Sequence, residues 1–245
     1  MSNINGSSAG ADGNGFISKL RQNGSVIALK WLDGSKDGVT LNAPKGMAVV
    51  GKNLFIADLN QVQVFALPDG EQKASIDIKG STFLNGITPG PVGSGDSVYV
   101  TDTGFAGGME PSGTDAVYQV WADGKYKIIF QDKEMGHPNG IWYDNDRLIV
   151  NTVGSGELFS IDSAGQGMSL PKPPTGGLDG LVKLDDGRLI VSSWAGSAIY
   201  ALGKDGKFTV LANKLVSPAD LGVDTKRHRL LVPLFKENKV LILPY

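Results

Sequence analysis

The sequence predicts an all-β fold, a six-bladed β-propeller carried by a single domain over residues 1–245, with a first blade incomplete at the N-terminus. Three observations predict it. One unit recurs: a short apolar strand, a tight turn, a second strand and a Gly-rich loop, as in His137-Pro138-Asn139-Gly140-Ile141-Trp142-Tyr143-Asp144 followed by Arg147-Leu148-Ile149-Val150-Asn151. Four relatives of that unit begin at Ala43, Phe83, Gly177 and Ser217, and they place Lys45, Asn85, Asn139, Asp179 and Ala219 at one common position, in steps of 40, 54, 40 and 40 residues. A fixed period of this size built from strands of four to seven residues is the pattern of a propeller.

Bulk composition narrows the function classes. The net charge is −2 with no long basic run, which speaks against a nucleic-acid partner. No apolar run approaches the roughly 20 residues that span a bilayer, so no membrane association is expected. The 34 Gly and 12 Pro fall between apolar runs, where they mark turns. With no Cys, the chain has neither a disulfide framework nor a thiol nucleophile.

In chain order, Ser2-Asn3 matches the end of a second strand, and Phe16 to Leu20 and Val26 to Leu32 read as third and fourth strands. The first strand of this blade and most of its second have no counterpart before Met1, so a truncated form of a longer protein is expected, the alternative being a first blade closed in some other way. Any export leader would be lost with the missing part, leaving the compartment open between periplasm and secretion. The blades fall at about 1–40, 41–80, 81–134, 135–175, 176–215 and 216–245. Three third-to-fourth-strand hairpins close on Asp-Gly, at Asp69-Gly70, Asp123-Gly124 and Asp205-Gly206. Blade six ends after three strands. Trp31, Trp121 and Trp142 read as packing between blades.

In a propeller the first strand of every blade lines the central channel. Asn85, Asn139 and Asp179, on consecutive blades, would then offer two amide carbonyls and a carboxylate to one axial pocket. Hard oxygen donors of modest charge suit Ca²⁺, or Mg²⁺ with waters retained, better than Zn²⁺. The competing reading is that Asn-Gly and Asp-Gly simply make the turn into the strand. Lys45, three blades from Asp179, would neutralise that carboxylate and repel a metal. A second column on the same face comprises Asn3, Asp58, Asp102, Thr152, Ser193 and Leu234, beside two long Gly-rich loops at 3–15 and 103–116. From these, Lys45, Asp58, Asp102, His137, Trp194 and Asp220 are candidate contacts for a small-molecule ligand or substrate. His137 is a candidate proton carrier, Trp194 a stacking aromatic, and Asp220 faces either the channel or a neighbouring blade. Gly6-Ser7-Ser8-Ala9-Gly10 fits the nucleophile-elbow pattern by letter but lacks the flanking strand and helix.

The motifs Leu84-Asn85-Gly86, Pro138-Asn139-Gly140 and Leu178-Asp179-Gly180 resemble those of the senescence marker protein/gluconolactonase family of six-bladed propellers, over about Phe16 to Tyr245. The resemblance implies a divalent cation, usually Ca²⁺, held by two Asn (Asn85 and Asn139), an Asp (Asp179) and a first-blade Glu that this chain lacks. It also implies that Asp179 is the catalytic base of lactone hydrolysis. The expected function is therefore metal-assisted, gluconolactonase-like hydrolysis of a small lactone or related ester. The alternative is a non-catalytic propeller that binds a small ligand or protein on the same face.

Overall fold

The computed structural model describes residues 1–107 and 109–245. The chain forms two compact units, Met1–Glu134 and Met135–Tyr245, each holding three antiparallel sheets whose strands follow one another in chain order.

In the first unit the sheets are Ser2–Asn3, Phe16–Leu20, Val26–Asp33; then Pro44–Val50, Asn53–Asp58, Gln61–Ala66, Gln72–Asp77; then Leu84–Pro89, Ser97–Asp102, Ala116–Trp121, Tyr126–Gln131. In the second they are Pro138–Asp144, Arg147–Thr152, Leu158–Ile161, Gly167–Ser169; then Leu178–Lys183, Leu189–Ser193, Ala198–Leu202, Phe208–Ala212; then Gly222–Asp224, Arg229–Leu234, Lys239–Pro244. Among the described residues of the second unit, the helical segments are the single 3₁₀ turns Thr225–Arg227 and Phe235–Glu237.

The middle strands read as continuous apolar runs because both of their faces are covered. Asn53–Asp58 and Ser97–Asp102 are buried almost throughout, whereas the outer strands Val26–Asp33 and Tyr126–Gln131 face solvent. The core lies between consecutive sheets rather than at one centre. Phe55, Val62, Leu84 and Tyr118 form one such cluster in the first unit, and Ile190, Ile199, Leu230 and Val232 one in the second. Each large apolar side chain so buried contributes about 1.5–3 kcal/mol. Trp31 and Trp142 pack at cluster edges, partly exposed. Trp121 does not join a cluster: its Nε1 donates to the Ser94 carbonyl at 2.9 Å and so ties down a turn.

The Asp-Gly hairpins follow from backbone geometry. Gly70, Gly124 and Gly206 have φ of +81°, +91° and +74°, the left-handed region that a side chain disfavours.

The inner strands carry the feature that positions the site. In four of them the ladder slips at the same place, between Pro44 and Met47, Leu84 and Ile87, Pro138 and Ile141, and Leu178 and Leu181. The two residues in each bulge, Lys45-Gly46, Asn85-Gly86, Asn139-Gly140 and Asp179-Gly180, leave the ladder. The Gly then lies against the backbone of the next inner strand. A methyl group on Gly46 would stand 2.6 Å from the Asn85 carbonyl oxygen, one on Gly180 would stand 2.5 Å from the Leu221 nitrogen, and one on Gly140 would press into the Asp179 carbonyl oxygen. The sequence reading offered these glycines as turn residues; close strand approach is what requires them.

Gly140→Ala is expected to destabilise the fold by about 1–3 kcal/mol, the usual penalty of overpacking against atoms that cannot yield. Gly167→Ala, where nothing lies within 4 Å, is the matched control. Denaturant midpoints of the two variants check this, and equal midpoints would contradict it.

Candidate functional site

The bulge removes Gly N–H groups from the ladder, and buried N–H groups need acceptors. Side chains on the second strand supply them. Thr101 Oγ1 accepts from Gly86 N at 3.0 Å, Asn151 Oδ1 from Gly140 N at 2.8 Å, and Ser192 Oγ from Gly180 N at 2.7 Å. Two of the three also reach the next inner strand. Asn151 Nδ2 donates to the Asp179 and Gly180 carbonyls at 3.0 and 3.2 Å, and Ser192 Oγ donates to the Ala219 carbonyl at 2.9 Å. Asn151 is thereby satisfied at both ends while fully buried. Sequence reasoning missed Thr101, Asn151 and Ser192; their signal was a recurring small polar residue one place before the second aligned column.

In the second unit this scaffold brings Asn139, Asp179, Trp194 and Asp220 together. Trp194 Nε1 donates to Asp179 Oδ2 at 2.9 Å. The Asn139 amide also donates to the Asp179 carboxylate, and Asn139 Nδ2 lies 3.4 Å from the Leu178 carbonyl. Asp220 Oδ1 accepts from Leu221 N at 3.0 Å. Its charge acts on Asp179, so the two carboxyl groups lie near one another. Both residues are partly exposed, yet their carboxyl groups are crowded by protein atoms. Burial, and then the Asp220 charge, push Asp179 up to about 7 against the opposing hydrogen bonds from Trp194 and Asn139. Burial pushes Asp220 up to about 6. Among the described residues no Lys or Arg forms an ion pair with either. A closely set pair of carboxyl groups titrates as a unit, and one neutral and one ionised member is the favoured state near neutrality.

Trp194 also stacks on Phe235 (centroids 5.5 Å apart, tilted 34°), with Lys236 Nζ 5.9 Å from its ring. Phe235 is half exposed. His137 sits at φ +64° before Pro138, and its carbonyl accepts from Val153 N at 2.9 Å.

The first unit holds Lys45, Asp58, Asn85 and Asp102. Asn85 Nδ2 donates to Thr103 Oγ1 at 3.0 Å. Asp58 and Asp102, expected as ligand contacts, are 1% and 0% exposed. Their carboxylates hold loops: Asp58 accepts from Asn42 N and Ala43 N at 2.9 and 2.7 Å, and Asp102 from Thr82 N, Phe83 N and Gly104 N at 3.1, 2.8 and 3.0 Å. No surface is left on them for a ligand, so the structure makes them loop anchors. Within its own unit Lys45 donates to the Ala43 carbonyl at 3.0 Å and lies 4.2 Å from the Phe83 ring centroid. Among the described residues, the hydrogen bond of the Ser8 hydroxyl in the Gly-x-Ser-x-Gly stretch is to Met109 Sδ, at 3.6 Å.

A divalent cation can be tested against the second-unit donors. Two carboxylates without a cationic partner, together with the Asn139 amide, form a hard oxygen set whose excess charge a divalent cation would balance. The donor chemistry fits. Among the described residues no group of three or more His, Cys, Asp or Glu side chains is disposed as a metal cage, so such a site would rest on this smaller set.

No protein-family model and no curated protein sequence matches the chain. Solved structures do. The chain is similar to a gluconolactonase from Xanthomonas campestris, at 19% identity over 90% of this chain and 76% of that one, with a TM-score of 0.69. It is similar to virginiamycin B lyase from Staphylococcus aureus in an inactive form with quinupristin, at 15% identity over 91% and 71%, TM-score 0.62. It is also similar to a chain of a nidogen/laminin complex, at 19% identity over 80% and 70%, TM-score 0.64. At these identities the likeness shows the fold, and the fold is a six-bladed β-propeller.

Because Asp179 binds its proton more tightly folded than unfolded, where its value is the ordinary 3.8, the folded state gains stability as pH falls from about 7 towards 4. Asp220→Asn removes the charge that helps raise Asp179 and also removes a second group of the same kind. The variant's melting temperature should therefore rise less than the parent's across that window. An identical pH dependence would contradict the coupling.

Proposed function

We propose that this propeller hydrolyses a small lactone or related cyclic ester, with Asp179 as general base. The observation that carries the reading is the setting of Asp179: a carboxylate poised near neutrality, fixed by Trp194 and Asn139, with a second carboxylate beside it and no cation paired to either. Groups shifted in this way concentrate at sites of chemistry. The gluconolactonase among the similar structures supports the choice of reaction class.

A general base works best when its pKa lies near the operating pH. In the proposed reaction Asp179 takes a proton from a water that attacks the ester carbonyl. The tetrahedral adduct then collapses, the ring C–O bond breaks, and the departing alkoxide takes back the proton from Asp179. Trp194 and Asn139 hold the base in one orientation, because their N–H groups donate to its carboxylate oxygens. Asp220 keeps the site electrically negative and so favours the protonated intermediate state of Asp179. A divalent cation held by Asn139, Asp179 and Asp220 would polarise the carbonyl and offset the charge that develops on its oxygen. Its binding would favour the ionised carboxylates and move the working pH range downward.

With a panel of aldonolactones and aliphatic lactones, followed by proton release in the presence of Ca²⁺, the chain should show turnover that EDTA diminishes. Asp179→Asn should lower it by about 10²–10⁴-fold, the usual contribution of a positioned base. Product mass separates this reaction from ring opening by elimination, since only hydrolysis adds the mass of water. No turnover of any lactone, with or without Ca²⁺, would overturn the proposal and leave a ligand-binding propeller.

A further inference from the structure

The first unit contains a charged group that the proposed chemistry does not use. Lys45 lies on the inner strand Pro44–Val50, in the bulge, one residue before the point where Gly46 touches the backbone of the neighbouring inner strand at Asn85. That contact sets its direction, and the side chain runs to Phe83, just before the inner strand Leu84–Pro89 of the next sheet. The ammonium stands 4.2 Å from the ring centroid, close enough for a cation–π interaction. Phe83 is itself buried and held edge-on by Phe105, with centroids 5.8 Å apart.

What the ammonium lacks is an anion. One of its three N–H groups meets the Ala43 carbonyl at 3.0 Å. No carboxylate of the described residues comes within ion-pair distance of it. The nearest acidic charge acting on it is Asp58, whose oxygens are already bonded to the Asn42 and Ala43 amides. A partly buried cation with one carbonyl and one aromatic face is under-compensated: burial takes away water, and neither partner carries a full negative charge. The cause shows in its titration, since burial lowers Lys45 to about 8 although Asp58 opposes the shift. The side chain still reaches solvent, so a ligand can approach it.

We infer that Lys45 and Phe83 form an anion-binding site of the first unit, and that its ligand is a small organic carboxylate with an apolar body. A single ammonium with donors to spare suits a carboxylate. A phosphate would call for several converging donors, and the other nearby amide, Asn85 Nδ2, is engaged by Thr103 Oγ1. The aromatic wall of Phe83 and Phe105 favours an anion with hydrocarbon attached over a hydrated inorganic one. No residue of the Asp179 site takes part, so this inference stands or falls separately from the hydrolase reading.

The test uses the intact chain with benzoate as probe, and benzyl alcohol and inorganic phosphate as controls. A bound carboxylate favours the charged amine and raises its pKa. Each unit of rise leaves about tenfold less neutral amine to react with acetic anhydride. Peptide mass spectrometry should therefore show Lys45 acetylated readily near pH 8 and protected selectively by benzoate, with the other lysines unaffected. Benzoate should also raise the melting temperature of the parent and of Lys45→Arg, and fail to raise that of Lys45→Met. Equal protection of all lysines, equal protection by benzyl alcohol or by phosphate, or an undiminished thermal shift in Lys45→Met would each overturn the inference.

Discussion

The structure depends on backbone-to-backbone contact between consecutive inner strands. Within each unit a bulged pair of residues sets a glycine against the neighbouring strand, with room for hydrogen and nothing larger. A bulge in a buried strand leaves N–H groups without ladder partners, and an orphaned one costs about 1–3 kcal/mol. Thr101, Asn151 and Ser192 supply the acceptors. Asn151 and Ser192 then bond onward to the adjoining strand, so the device that repairs one bulge also fixes the spacing to the next sheet. The residue before each glycine is turned out of the ladder by the same geometry. Asn139 and Asp179 owe their directions to it, and so does Lys45.

Electrostatics follows from that placement. Residues turned out of a ladder on a crowded strand lose water without gaining the partners that a designed ion pair would bring. In the second unit this leaves two acidic groups near one another; burial pushes both upward, and the Asp220 charge adds to the rise of Asp179. In the first unit it leaves an ammonium against a ring, displaced in the opposite sense by the same loss of hydration. Charges in such settings are costly to a fold that does not use them, which is why each is read as a place where something binds.

Much of this was legible in the sequence. The repeat of Lys45, Asn85, Asn139, Asp179 and Ala219 gave strand order and blade architecture, because a fixed period reports a repeated supersecondary unit whatever the residues between. Asp179 stood out through the same column. Other parts were hidden for physical reasons. Asp58 and Asp102 carry the same chemistry as ligand-binding acids, and only burial and their backbone donors mark them as loop anchors. Asp220 sits one residue out of register, so its direction could not be read from spacing. Asn151 and Ser192 lie inside apolar strands, where a polar residue has no evident purpose until the bulge opposite it is seen. Trp194 was a rim aromatic of undecided role; its indole N–H on Asp179 joins the turn after one strand to the bulge of the neighbouring inner strand, a contact that no local pattern encodes.

The second unit holds a pair of crowded carboxyl groups, Asp179 and Asp220, ready to receive a proton or a cation. Carboxyl-carbon NMR of Asp179, followed across pH with and without Ca²⁺, measures that readiness most directly. The account predicts an apparent midpoint near 7 in the absence of the ion and a clear shift to lower pH in its presence. A midpoint at the ordinary aspartate value, unmoved by Ca²⁺, would contradict it.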